Sequence, residues 1–168
     1  MTNRFSWLHG FLAALPGVES DFKAEWGWTR YKVGERMFAA VCQNGRGEEF
    51  LLTLKADPVE AELQRAAFWR VFPGYYCTKH CWNSVYLCDP GADWEEVTSR
   101  IRDAASSAEG ELPEALLRDM CSRAHALTVA KLPRRLRPDG GVLTGGGVCV
   151  ILMAKEAAWP PENGRGMG

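Results

Sequence analysis

Apolar residues recur at helical spacing close to the N-terminus: Phe5, Leu8, Leu12 and Leu15, with Trp7 and Phe11 alongside. Asn3 is placed to cap that run and Pro16-Gly17 to stop it, so an amphipathic helix is expected. The period then changes. Glu25–Val33, Arg36–Cys42 and Phe50–Lys55 are rich in aromatic, β-branched and other apolar residues and read as three successive antiparallel strands. Gly34-Glu35 breaks the first pair, and Asn44-Gly45 predicts a tight hairpin between the second pair, because both turn positions tolerate positive φ. Asp57-Pro58 combines an N-cap with a proline in the first turn, opening a second helix through Ala61, Leu63, Ala67 and Phe68 toward Pro73.

Trp82–Leu87 alternates as a strand does, with Trp82, Ser84 and Tyr86 on one face and Asn83, Val85 and Leu87 on the other. Phe72-Pro73-Gly74 and Cys88-Asp89-Pro90-Gly91 read as the turns that bound this region. Asp93-Trp94-Glu95-Glu96 has capping-box spacing and predicts a modest helix to about residue 105. Pro113 opens a last helix with an apolar stripe at Leu117, Met120/Cys121, Ala124 and Leu127, ended by Pro133. The expected order is helix, three strands, helix, two strands, helix, with an extra helix inserted near 93–105.

The chain has 168 residues, 46% of them hydrophobic and 24% charged, which suits one domain with a sizeable core and leaves little room for two. Residues 1–137 carry the periodic segments, with an insertion at about 89–110, and 138–168 form a Gly/Pro-rich tail around the short apolar run Val148–Met153. No apolar run is long enough to cross a bilayer, and the N-terminus lacks a signal-peptide core, so a cytoplasmic protein without membrane contact is expected. Six cysteines spread through a chain with its own core point to reduced thiols. A net charge of −1 removes any bulk argument for nucleic acid and leaves only a local patch. Fourteen arginines against six lysines are compatible with phosphate or carboxylate recognition, and equally with the arginine bias of a GC-rich genome, the blander reading.

Several segments, in order, resemble the MmcQ/YjbR family. They are Leu15-Pro16-Gly17-Val18-Glu19, Trp28–Gly34 with Met37-Phe38-Ala39, Leu54-Lys55-Ala56-Asp57-Pro58, Pro73-Gly74-Tyr75 with Lys79 and Trp82-Asn83-Ser84-Val85, and Leu127–Pro133. The resemblance spans about residues 5–137. It implies an α+β fold in two layers, an antiparallel sheet with helices packed on one face, and a double-wing DNA-binding architecture. Secretion chaperones share a similar topology, which implies a protein-interaction alternative. The chain departs from the family at Cys81, where histidine is usual, and at Ala124-His125-Ala126.

On this reading duplex DNA is the expected ligand, contacted without catalysis. The candidate residues are Arg30, Lys32, Arg36 and Arg46 in the hairpins, Lys79, Trp82 and Asn83 around the aromatic strand, and Lys131, Arg134, Arg135 and Arg137 after the last helix. The bland alternative is that cations after a helix complement its dipole. Trp82, Tyr86 and Trp28 would make a base-stacking face if exposed and core if buried. The competing function is a protein-interaction module using an uncovered sheet face or a homodimer interface. Cys77, His80, Cys81 and Cys88 lack the paired spacing of a zinc site, no catalytic motif is present, and no cofactor is expected.

Overall fold

The computed structural model describes residues 4–74, 80–88 and 110–138. The predicted Asn3 cap, the inserted helix near 93–105 and the tail from 139 onward lie outside the described residues, as do Lys79 and Cys77.

Helix α1 runs from Leu8 to Ala14 and buries Leu8 and Leu12; Leu15 then turns extended and Gly17 takes a φ of 70°. Four strands follow: β1 (Val18–Lys23), β2 (Trp28–Val33), β3 (Arg36–Gln43) and β4 (Glu49–Lys55). After α2 (Pro58–Ala67) come β5 (Val71–Pro73) and β6 (Trp82–Tyr86), and α3 spans Glu114–Ala130, followed by a 3₁₀ turn at Arg134–Leu136. The sheet order is β1-β2-β3-β4-β6-β5, every pairing antiparallel. Among the described residues the expected α+β class and element order are present, with one strand more than predicted. That strand is β1, whose Glu19, Asp21 and Lys23 disguise it as a loop. Among the described residues no helix is long and apolar enough to cross a membrane.

Each sheet face buries its own cluster. On one, Tyr31, Val33, Val41, Leu52, Leu54 and Val85 meet Leu8 and Leu12 of α1 and Leu117, Met120, Cys121 and Ala124 of α3. This helix-backed layer is the main core, and its close packing of branched and aromatic side chains supplies most of the folding drive. On the other face Trp28, Ala40, Cys42, Leu51, Phe72 and Tyr86 form a second cluster, whose described members are strand and turn residues. Thr53 and Ser84 lie fully buried on that face and satisfy each other through their hydroxyls at 3.0 Å.

Local chemistry sets the joints. Gly34 and Glu35, with φ of 55° and 67°, make the two-residue β2–β3 turn, and both positions need positive φ. A bulge opposite Tyr31/Lys32 leaves Phe38 between register pairs, and its ring meets His125 of α3 edge-on at 5.4 Å. His125 Nε2 in turn donates to the Pro16 carbonyl at 2.7 Å, tying α3 to the end of α1. Asn44-Gly45 does not form the expected two-residue turn. Instead Asn44 Oδ1 accepts from the Arg46 and Glu48 amides, and the positive φ falls on Gly47, giving a longer loop.

Asp57 caps α2 as its sequence predicts, its carboxylate accepting from the Val59 and Glu60 amides. The helix ends at Ala67 and not near Pro73. Phe68 is already extended, and Val71–Pro73, expected as part of a turn, pairs with β6. The cause is Arg70, whose side chain is 1% exposed. It donates to the carbonyls of Tyr86 and Cys88 and to Glu111, holding the chain on both sides of residues 89–109. In α3 the buried positions are Leu117, Met120, Cys121, Ala124, His125, Thr128 and Val129, so Thr128 takes the place that the sequence pattern assigns to Leu127.

Candidate functional site

The ten candidate residues that the structure describes separate into distinct environments. Arg30 and Lys32 stand side by side on β2, and Asp21 sits opposite Arg30 on β1. Its carboxylate accepts from Arg30 Nε and Nη2 at 2.8 and 2.6 Å and from Lys32 Nζ at 3.1 Å. The Arg30 hydrogen bond, with Lys32 added, outweighs burial and holds the Asp21 carboxyl far below the usual carboxylate range. The single carboxylate is thus shared by both cations and offsets only one of their two charges. Arg46 is exposed at the β3–β4 loop and pairs with Glu48 at 2.8 Å.

Trp82 and Asn83 are buried, not surface-exposed. Trp82 is 3% exposed, with the Lys55 ammonium 5.6 Å from its ring centre, and Trp28 and Tyr86 are also buried. The three aromatics thus do not form an open stacking platform. Asn83 accepts from Arg65 Nη1 at 3.0 Å and donates to Gln64 Oε1 and the Ala61 carbonyl, which docks α2 onto the sheet. Gly74 is shaped by the same neighbourhood, since a Cβ there would stand 2.6 Å from Trp82 Cβ.

The basic segment after α3 folds back on the end of the sheet. Leu132 is buried against the β2–β3 turn, where a Cβ on Gly34 would lie 2.7 Å from its Cδ1. Pro138 packs on Gly17 in the same way. Arg137 spends its guanidinium on the C-terminal carbonyls of α3, donating to Ala130 and Leu132 oxygens at 2.9 and 2.8 Å. Arg134 and Arg135 are exposed, Lys131 is half-buried, and exposed Arg36 begins β3 two residues beyond Gly34. The Leu132–Gly34 contact therefore brings the chain at the start of β3, with Arg36, near the turn that carries Arg134 and Arg135.

One polar chain had no sequence signal. His9 of α1 lies between Tyr31 Oη at Nδ1 and Glu49 Oε1 at Nε2, each at 2.5 Å. Burial, with the Glu49 charge beside it, pushes the Tyr31 phenol up to about 12, so the phenol keeps its proton. The Glu49 carboxylate accepts from Nε2, and Nδ1 shares the second hydrogen bond with the phenol. Both ring nitrogens are engaged, so the arrangement pins α1 across β2 and β4 and leaves no imidazole lone pair for a substrate. Three residues from three elements, at separations of 22 and 40 in sequence, could be joined only once the register was known.

Fold and joints together define a small α+β protein built on an open six-stranded antiparallel sheet. The YjbR family model matches residues 13–104, more than half of the chain, and the chain belongs to that family. A crystal structure of a Deinococcus radiodurans protein with a DUF419 domain is similar at a TM-score of 0.58 and 24% identity, covering 83% of this chain and 91% of that one. A Pseudomonas syringae protein of known structure is similar at 0.52 and 13% identity, covering 75% and 98%. No curated protein matches.

Proposed function

We propose that the protein is a non-catalytic, cytoplasmic DNA-binding module that grips the phosphate backbone of duplex DNA at the corner formed by Arg36, Arg134 and Arg135. The reading is carried by the packing of Leu132 on Gly34, which joins a hairpin tip to the basic turn after α3. Exposed arginines on two adjoining elements suit phosphate oxygens along a backbone, and their binding releases condensed counterions. Among the hairpin candidates this reading takes Arg36, because it is exposed and stands two residues beyond Gly34, where Leu132 joins the turn to the basic segment. Trp82 and Asn83 support the scaffold behind it. Nothing in the corner supplies base-edge readout, so binding is expected to be non-specific in sequence.

The test is fluorescence anisotropy of a labelled duplex at about 50 mM salt, where phosphate contacts are strongest. The double substitution Arg134→Ala/Arg135→Ala should weaken binding at least about tenfold, while Arg46→Ala leaves it unchanged. Equal binding by the double variant would remove the proposal.

A further inference from the structure

Helix α2 is mounted with its polar side inward. Ala61 is buried, and half-buried Gln64 and Arg65 are bonded to Asn83 beneath the helix. The apolar residues point the other way: Val59 is 67% and Leu63 65% exposed, and Ala66 and Ala67 are exposed as well. At helical spacing Val59, Leu63 and Ala66 fall on one stripe. The sequence pattern, which makes Leu63 and Ala67 core positions, is overturned here because Asn83 demands hydrogen-bonding partners from the helix above it.

The stripe has an acidic border. Glu62 is exposed beside it and Glu60 flanks it, while Asp119 on α3 is also exposed. Arg123 is the neighbouring cation, and it is shared between Glu60 and Asp119. We propose that this stripe docks a short amphipathic helix of a partner protein, apolar along one side and lysine- or arginine-rich along its flanks. The occupant follows from charge and area. A second copy of the chain would set Glu60 and Glu62 against their own kind, a like-charge juxtaposition that associations avoid. A helix of ten residues is about 15 Å long, and its few apolar side chains fall well short of the about 800 Å² per partner typical of a stable interface. What fits is a transient helix-on-helix contact with basic flanks. The site is separate from the arginine corner: α2 rests on β5 and β6, whereas the corner adjoins the β2–β3 turn.

The test uses the full chain labelled with nitrogen-15 and a synthetic peptide of about fifteen residues, long enough for helix formation. It carries leucines at i, i+4 and i+7 with lysines on the flanks; a second peptide carries glutamates in place of the lysines. Amide shifts confined to Val59–Ala67 and their neighbours on α3 are expected with the lysine peptide. Binding should be at least about fivefold weaker for the glutamate peptide, because its flanks repel the border carboxylates. Leu63→Glu should abolish the shifts while leaving the rest of the spectrum in place, since Leu63 contributes little to the core. Absence of α2 shifts, equal binding of both peptides, or binding insensitive to Leu63→Glu would overturn the proposal. So would self-association of the full chain that Leu63→Glu abolishes, because the occupant would then be a second copy.

Discussion

Leu132 closes over Gly34 so tightly that a methyl group at Gly34 would stand 2.7 Å from two Leu132 carbons. Gly34 also holds a φ of 55°, so two independent constraints demand glycine there. Gly34→Ala should cost about 2–4 kcal/mol, from left-handed strain and overpacking together, read as a lowered denaturant midpoint. If the turn is the hinge of the arginine corner, the variant also loses duplex affinity under conditions where it remains folded. A variant as stable as the parent would show that Leu132 does not rest there.

Asp21 is shared by Arg30 and Lys32, and its carboxyl is held below the usual range chiefly by the Arg30 hydrogen bond. A depressed carboxylate contributes stability above its unfolded value of about 3.9, and that contribution is lost as pH falls below it. Asp21→Asn should therefore lower stability at pH 7 by about 0.5–1 kcal/mol, a figure kept small by the pair's partial exposure, with the gap closing in acid. The same substitution frees two cations and should tighten duplex binding several-fold at low salt. Unchanged affinity would mean that Arg30 and Lys32 lie outside the path of the phosphates.

The Tyr31 phenol, pushed up to about 12 mainly by burial, has the opposite linkage. Its raised value leaves stability intact below the unfolded value of about 10 and reduces it as pH climbs toward 12, because the unfolded chain ionises first. Tyr31→Phe should flatten the stability curve across that window, and ultraviolet difference titration should find one phenol fewer ionising late. A Tyr31 that titrates near 10 would contradict the burial of its phenol beside Glu49.

Asn83 holds α2 through three contacts: it accepts from Arg65 and donates to Gln64 and the Ala61 carbonyl. Asn83→Leu keeps the branched shape but strips all three partners and adds bulk, and should destabilise by about 2–3 kcal/mol. The loss should appear first in hydrogen exchange of α2 amides, ahead of the central strands. Equal protection of α2 in the variant would show that the helix is held by something other than this side chain.

Features fixed by a few neighbouring residues were legible in the chain itself. Asp57 caps the helix that Pro58 begins, and Trp82–Tyr86 alternates as written, because a cap and a pleat depend on adjacent positions. What needed register was hidden. β1 is polar at four of its six positions and becomes a strand through pairing with β2. That pairing brings Asp21 to Arg30, so the sharing of one carboxylate by two candidate contacts could not be foreseen from a cation count. Likewise the orientation of α2 follows from buried Asn83 on a distant strand, against the helix's own apolar pattern. Of the candidate site, the cluster after α3 was visible as a run of arginines; its union with Arg36 depends on Leu132 reaching Gly34.

The most direct measurement is the salt dependence of duplex binding by the full chain. Three exposed arginines acting on phosphates predict that the logarithm of the association constant falls with the logarithm of salt at a slope of about −3, easing by about two units in Arg134→Ala/Arg135→Ala. No binding at about 50 mM salt, or a slope that ignores the double substitution, would contradict the arginine corner as a DNA contact.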